Sequence, residues 1–470
     1  MKITYTFIMK ALPVLLTALC WTSCSDFLEE SSQDEVRPAM VSDLEQILLG
    51  DGYRDGHNFF YMSEIFTDNQ KSVEPLSNVE DEYEQKKWRF LWDAKMFDDD
   101  GGGYNGECWE IPYKGILGCN LVLEYLDDMK GEDYIRESLR GEALILRSWY
   151  YFHLVNFFGI AYNQGNPATD LGVPLKLDPT VTGQFFTRNT VEEVYLQIER
   201  DLLHGIRLLS ENKYDRNFFR INHLAAKAIL SRVYLYMENW DKALAYADSV
   251  LMEKSNLLDL NDGGRVYHTS STPDEIIWAR EYNSGYEVSF QPRLSPPFIA
   301  SDDLVGIYTD NVDLRQKIYL YYDGSITRGY AGVNKGYYDY AAIQGIRTAE
   351  LYLNRAEGYS RKYLTGGQDE FRVKALADLN ELRKYRINKS KYIEVNLTDG
   401  QELLDFCLLE RRRELCGETC HRWCDVRRLG VTVTHLLYDS SIEYQQDMGH
   451  YVLPIPKLIT EQNPALEQNQ

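Results

Sequence analysis

The sequence has few basic residues and few cysteines, and both shortages exclude classes of protein. It carries 50 Lys and Arg against 72 Asp and Glu, a formal net charge of −22. A protein that follows nucleic acid, or that docks on anionic lipid by charge alone, needs a basic face. Neither kind of partner is therefore expected. Eight cysteines in 470 residues are too few to indicate a disulfide framework.

Long hydrophobic runs are also missing, apart from one near the N-terminus. The apolar stretch from Ala11 to Leu19 follows Lys2 and is shorter than the roughly 20 residues that span a bilayer. This arrangement is typical of a signal peptide. We therefore predict that residues 1–23 are an export signal and that the mature chain has no transmembrane helix.

The end of this segment predicts a lipid anchor. Ser23 directly precedes Cys24, and this order resembles a bacterial lipobox, although Trp21 stands where leucine is usual. The prediction is that the Cys24 sulfur is acylated and that Cys24 becomes the first mature residue. The alternative is ordinary signal cleavage with Cys24 as an incidental thiol. Two or three acyl chains hold a protein firmly on a membrane, whereas one chain binds only marginally.

Aromatic residues, in contrast, are abundant. The chain has 35 tyrosines, and its apolar content of 44% excludes general disorder. The length allows a large core and more than one domain. Tyrosine has an amphipathic ring that suits wet contact surfaces, so the excess indicates a surface that binds something.

Apolar periodicity predicts a mainly α-helical fold. Thr190-Val191-Glu192-Glu193 forms a capping box at a helix start. Small and aromatic residues at tetratricopeptide-like spacing predict antiparallel helical hairpins, without a strict 34-residue period. The predicted helices cover 106–129 and 133–158, the predicted hairpins 224–252 and 348–385, and the helical repeats as a whole about 106–252 and 348–430.

Two stretches lack a helical period and read as loop-rich insertions. They cover residues 53–105 and 256–345 and contain glycines and many aromatic residues. Glu275 to Trp278 has the pattern of a short strand. Because loops on a rigid scaffold often carry function, we place the binding surface there. The repeats and insertions interleave, so we predict one domain over residues 24–470.

The sequence offers weak candidates for a metal site and no catalytic motif. Cys416, Cys420 and Cys424 lie four residues apart with His421 among them, but one helical stripe of thiols cannot enclose a tetrahedral ion. Buried packing is the favoured interpretation, with a structural disulfide left open. Two acidic stretches, 98–100 and 259–263, only weakly resemble calcium loops. No hydrolase, zinc-protease or phosphate-loop motif occurs, so no cofactor and no enzymatic activity are predicted.

Several segments resemble one family in the same order along the chain. The sequence is similar to the SusD/RagB family of outer-membrane nutrient-uptake lipoproteins. The segments are Cys24 to Glu29, Gly141 to Gly159, Ala225 to Leu251, Arg347 to Glu357, Glu410 to Leu415 with Arg422 to Arg428, and Leu453 to Asn469. Cys420 and Cys424 depart from the usual residues of this pattern, and the spacing from Glu418 to Arg422 is one residue longer.

The resemblance implies both a fold and a function. The implied fold has four tetratricopeptide-like hairpins that support a loop-rich half with short strands. The implied function is to hold a nutrient, most often a glycan, for a SusC-like TonB-dependent transporter, from a lipid-anchored position on the cell exterior. Peptide uptake by the same architecture, a protein-binding repeat scaffold and a surface glycoside hydrolase are the alternatives.

Glycan binding requires exposed aromatic faces with polar neighbours, and the insertions offer two clusters. For each aromatic residue taken alone, the alternative to ligand contact is packing in the core. Trp109 and Trp423 are assigned to the core because they lie on predicted helices. The first cluster contains Trp92, Phe97, Asp98 and Asn105, and the second contains Tyr282, Asn283, Tyr286, Arg293 and Tyr308.

Overall fold

Helices account for most of the described residues. The computed structural model describes residues 38–53, 63–75, 80–97, 107–214, 217–264, 266, 275–279, 297–322, 330–333, 335, 345–446 and 448–469. Its α-helices are α1 Val41–Ile47, α2 Glu80–Phe90, α3 Glu107–Tyr125, α4 Asp133–Phe158, α5 Val191–Glu211, α6 His223–Tyr236, α7 Trp240–Leu251, α8 Asp302–Gly306, α9 Arg315–Tyr319, α10 Thr348–Gly366, α11 Asp369–Lys384, α12 Gly400–Leu415, α13 His421–Leu429 and α14 Lys457–Gln462. None of these helices is long and apolar enough to cross a membrane.

The strands are short and form two-stranded antiparallel pairs. They are β1 Gln70–Ser72, β2 Ile276–Ala279, β3 Phe298–Ala300, β4 Leu320–Tyr322, β5 Tyr330–Val333, β6 Gly345–Arg347, β7 Thr434–Leu436 and β8 Glu443–Gln445. The pairs are β1 with β3, β2 with β6, β4 with β5 and β7 with β8. In register, Gln70 faces Ala300, Ile276 faces Arg347, Leu320 faces Val333 and His435 faces Tyr444. The mainly α-helical prediction and the strand predicted at Glu275–Trp278 are confirmed.

The scaffold is a continuous array of packed helices. From α3 to α7, each helix packs on the next, and α7 then packs on α10, which also contacts α11 and α12. The chain between α7 and α10 therefore leaves the array and returns to it. Small residues allow close packing in the array: Ala228 and Ala243 are buried, and the Ser231 hydroxyl donates to the Ala243 carbonyl at 2.9 Å.

Local sequence signals account for several helix ends. The predicted helix over 133–158 coincides with α4. At the start of α5, the Glu193 amide donates to the Thr190 hydroxyl at 3.2 Å, and the Thr190 amide donates to the Glu193 carboxylate at 2.9 Å. The predicted capping box is therefore confirmed. The predicted helix over 106–129 ends earlier, because a 3₁₀ turn over Leu126–Asp128 follows α3.

The two insertions contain more regular structure than the sequence indicates. Helix α2 lies in the first insertion, and its sequence EDEYEQKKWRF shows no apolar period. Its acidic residues lie at the N-terminal end and its basic residues at the C-terminal end, which favours a helix through its dipole. Only Tyr83 and Phe90 among its apolar residues are buried. The second insertion contains α8, α9 and strands β2 to β5.

Buried ion pairs join the second insertion to the scaffold. At their centre, the Glu414 carboxylate accepts from Arg315 at 3.1 Å, from Arg347 at 2.7 Å and from Arg386 at 3.0 Å. All four side chains are 1% exposed or less. Glu275 also accepts from Arg347 and Arg386, at 2.7 and 2.8 Å. Residues from α9, α12, strand β6 and the segment that follows α11 are thus held together by charge.

Further buried pairs connect the scaffold helices. Arg232 of α6 binds Glu350 of α10 through two hydrogen bonds of 2.6 and 2.7 Å. Arg428 of α13 binds Glu357 of α10 in the same way. These residues lie in the segments that carry the family resemblance. They therefore act as internal ion pairs between helices, because all four side chains are 4% exposed or less.

Because of these ion pairs, we expect the free energy of unfolding to fall in acid. Burial alone would raise the pKa of Glu414, Glu418 and Glu357, but neighbouring arginines, and Lys335 beside Glu418, outweigh it and hold each pKa below 4.5. Below about pH 4.5 the unfolded chain therefore binds more protons than the folded protein, and acidification favours unfolding. We expect the free energy of unfolding to fall by about 1.4 kcal/mol per pH unit for each excess proton.

Urea denaturation between about pH 7 and pH 3 measures this effect. The carboxylate contribution should be fully present at neutral pH and should be lost progressively below about pH 4.5. Glu64 acts in the opposite direction, because burial raises its pKa in the folded protein. A free energy of unfolding that stays constant, or rises, as the pH falls through this range would contradict the account.

Candidate functional site

Most of the predicted site residues lie outside the described part of the chain. This applies to the predicted lipid-anchor residue and to six of the nine predicted ligand-contact residues. They are Cys24, Asp98, Asn105, Tyr282, Asn283, Tyr286 and Arg293.

The three predicted ligand-contact residues that are described are buried. Trp92, Phe97 and Tyr308 are 4%, 3% and 4% exposed. The Trp92 indole N–H donates to the Phe66 carbonyl at 3.1 Å, and the Tyr308 hydroxyl donates to the Arg413 carbonyl at 2.8 Å. Their rings therefore offer no open face for stacking a sugar. The alternative interpretation, packing in the core, therefore applies to these three residues. Trp109 and Trp423, which were assigned to the core, are 6% and 0% exposed.

Trp92 anchors the turn that follows α2. Its φ of 53° is in the left-handed region that bulky residues rarely adopt, and surrounding contacts hold it there. The His435 ring stacks on Trp92 at 4.3 Å and on Phe90 at 3.8 Å between ring centroids. Burial lowers the pKa of His435. The turn over residues 93–97, which leads to residue 98, is thereby fixed against β7.

Two other aromatic residues in this part of the molecule are exposed. Trp88 on α2 is 43% exposed, and Tyr438, in the turn between β7 and β8, is 42% exposed. Tyr438 packs edge-on against Tyr83 at 5.1 Å between centroids, and the Tyr83 hydroxyl donates to Asp439 at 3.1 Å. These two contacts hold the hairpin of β7 and β8 against α2, and Tyr438 therefore lies beside that helix.

Helical spacing relates the Trp88 ring to two carboxylates. Glu80, Glu84 and Trp88 are exposed and follow each other at intervals of four residues on α2, so they form one stripe about 12 Å long. Lys87 binds Glu84, and its ammonium lies 5.1 Å from the Trp88 ring centroid. We call this stripe, together with Tyr438 and Asp439, the α2 face.

The charges near Tyr438 show that the α2 face is acidic. The pKa of Tyr438 is raised by desolvation and by four carboxylates, which belong to Asp439, Glu74, Glu80 and Glu84. The two rings can cover apolar sugar faces, while carboxylates accept hydrogen bonds from hydroxyl groups. Trp88 is visible in the sequence, but the residues around it show no apolar period. The sequence therefore did not predict the helix that positions Trp88.

A surface cleft lies at the turn between α6 and α7. It has a volume of about 440 Å³ and is lined by Met237 to Asp241 and Lys362. Arg361 lies over the Trp240 ring at 5.4 Å, and Lys362 forms an ion pair with Asp241. These contacts join α7 to α10, so we assign the cleft to packing between scaffold helices.

Cys416, Cys420 and Cys424 do not share one helical stripe, contrary to the expectation from their spacing. Cys416 ends α12, and Cys420, with a φ of 54°, caps the start of α13. The Sγ atoms of Cys420 and Cys424 are 3.8 Å apart. All six described cysteines are buried and unbridged, and the burial of Cys416, Cys420 and Cys424 agrees with the predicted packing role.

The described residues contain no cluster suited to a metal ion. In the calcium-like stretch 259–263, Lys389 Nζ lies 2.8 Å from the Asp259 carboxylate. Asp259 also accepts from the Asn261 amide at 2.9 Å. An ammonium group therefore neutralises the carboxylate that the calcium interpretation needs. The other stretch, 98–100, lies outside the described residues.

Family comparisons match both halves of the chain. A family described as "Starch-binding associating with outer membrane" matches residues 26–235, and the SusD family matches residues 306–470. The chain belongs to the SusD family. This SusD-family protein is 24% identical to SusD-like protein P38 from Formosa agariphila over 424 residues, which cover 77% of this chain and 78% of the relative.

Solved structures share the fold along almost the whole SusD-family chain. A putative sugar binding protein from Bacteroides vulgatus is 25% identical with a TM-score of 0.74, covering 93% of this chain and 99% of that one. A SusD-like carbohydrate binding protein from the same species is 21% identical with a TM-score of 0.72, covering 91% and 97%. The helical-hairpin architecture is thus the SusD fold.

Proposed function

We propose that this protein binds an oligosaccharide or polysaccharide at the cell surface and delivers it to a SusC-like TonB-dependent transporter. In this proposal, a lipid on Cys24 holds the protein on the outer membrane. Membership of the SusD family supports this role, as do related structures described as sugar-binding and carbohydrate-binding. The protein acts by binding and not by catalysis.

One observation in this chain carries the proposal: the α2 face presents exposed aromatic rings beside carboxylates. Trp88 and Tyr438 are each more than two-fifths exposed. A sugar ring presents apolar C–H groups on its faces and hydroxyl groups at its edge, so it can stack on an aromatic ring while its hydroxyls donate to carboxylates. Tyr83 and Phe90 pack against Phe298 of β3, and these contacts keep α2 in place before the ligand arrives, which lowers the entropic cost of binding.

Calorimetric titration of the purified mature protein tests this function. The probes are neutral polysaccharides, among them starch, β-glucan, mannan and xylan, and a mixture of short peptides as the control. Saturable heat with at least one polysaccharide, and none with the peptides, is the expected result. Binding of peptides alone, or release of reducing sugar during incubation with a polysaccharide, would contradict the proposal.

A further inference from the structure

The charges on the α2 face bear on which glycans it can hold. Helix α2 and the β7–β8 hairpin, residues 80–90 and 434–445, together contain six acidic and three basic residues. The hairpin contributes Asp439 and Glu443 and no lysine or arginine. Both the helix and the hairpin therefore contribute negative charge beside Tyr438.

The basic residues of α2 are already engaged. Lys86 forms an ion pair with Glu82 at 2.5 Å, and Lys87 forms one with Glu84. The side chain of Arg89 is buried. Recognition of a carboxylate or sulfate group needs a cation that is ready to pair with it. Lys86 and Lys87 are both paired with carboxylates of their own helix, so these two elements offer no unpaired ammonium group to an anionic sugar at the α2 face.

We propose that the α2 face selects uncharged glycans and excludes glycans that carry uronate or sulfate groups. The inference rests on the proposed function, because it concerns the ligand of the same surface. Exposed charges interact over a screening length of about 8 Å at physiological salt. A sugar stacked on Tyr438 would bring an anionic substituent within this range of carboxylates such as Glu80, Glu84 and Asp439. Repulsion of this kind produces specificity without adding affinity for the accepted ligand.

Matched pairs of polysaccharides test the selection. Starch, β-glucan, mannan and xylan are each titrated beside a carboxymethylated derivative, and methyl-esterified galacturonan beside its de-esterified form. We expect the neutral member of a pair to bind about 3- to 10-fold more tightly at low salt. The difference should shrink as salt is added, mainly because the charged member binds better.

Charge-neutral variants locate the effect. Glu80→Gln with Glu84→Gln should raise affinity for the carboxymethylated member relative to affinity for the neutral member. The substitutions remove the repulsion, whereas the hydroxyls of the neutral sugar only exchange a charged acceptor for a weaker, uncharged one. Glu370→Gln with Glu402→Gln is the matched control, since both residues are exposed acids in the first turns of α11 and α12. The control should leave both affinities unchanged.

Equal or tighter binding of the charged members by the unmodified protein would overturn the charge selection while leaving glycan binding intact. So would a selection for neutral members that the α2 substitutions do not alter. Failure of every polysaccharide, neutral and charged, would instead overturn the proposed function and the selection together. The two kinds of failure are therefore distinguished within one set of titrations.

Discussion

Replacing Glu414 with glutamine is expected to lower the free energy of unfolding by about 3–5 kcal/mol. The Glu414 carboxylate is fully buried and accepts from Arg315, Arg347 and Arg386, and from the Tyr319 hydroxyl at 3.0 Å. Glutamine has nearly the same shape but no charge, so the buried guanidinium groups would lose a shared counter-ion. Urea denaturation followed by circular dichroism measures the change.

Glu370→Gln provides the matched control for this substitution. Glu370 is exposed in the first turn of α11, and its replacement should change stability by no more than about 0.5 kcal/mol. Failure of the Glu414→Gln protein to fold under conditions where the control folds would agree with the expected direction. A loss below about 1 kcal/mol for Glu414→Gln would show that the buried network does not depend on this carboxylate.

The sequence predicted the scaffold well because the signals that shape it are local. The helix over 133–158 and the capping box at Thr190 depend on residues within one or two turns of each other. Helix α2 was missed for a related reason. Its stability rests on the order of its charges and on contacts with distant residues, such as the Tyr83–Asp439 hydrogen bond across 356 positions.

The candidate site was less predictable, because ring exposure depends on contacts between distant parts of the chain. The His435 ring, stacked on Trp92, is also hydrogen-bonded to the Phe90 carbonyl, 345 positions away. The Tyr308 hydroxyl reaches a carbonyl 105 positions away. Composition shows that rings are abundant in the insertions, but only the packed structure shows which rings face solvent.

Removing both exposed rings of the α2 face is expected to weaken glycan binding strongly. Trp88→Ala and Tyr438→Ala should each cost about 1–2 kcal/mol, as buried aromatic anchors do at binding surfaces. Together they should lower affinity by roughly 30-fold or more. Because both rings are more than two-fifths exposed in the free protein, most of this loss should concern the bound state.

Tyr125→Ala with Tyr134→Ala is the matched control. These tyrosines are 44% and 47% exposed, close to the exposure of the two α2-face rings, but they lie at the end of α3 and the start of α4. The control therefore removes the same kind of exposed ring from the scaffold. Its affinity should stay within about twofold of the unmodified protein, and denaturation curves of both double variants confirm that each is folded.

The most direct test of glycan binding at the α2 face is one calorimetric comparison. The unmodified protein, the Trp88→Ala, Tyr438→Ala double variant and the tyrosine control are titrated with the neutral polysaccharide that binds best. The account predicts a loss of roughly 30-fold or more for the α2-face variant alone. An α2-face variant that binds within about twofold of the unmodified protein would contradict it.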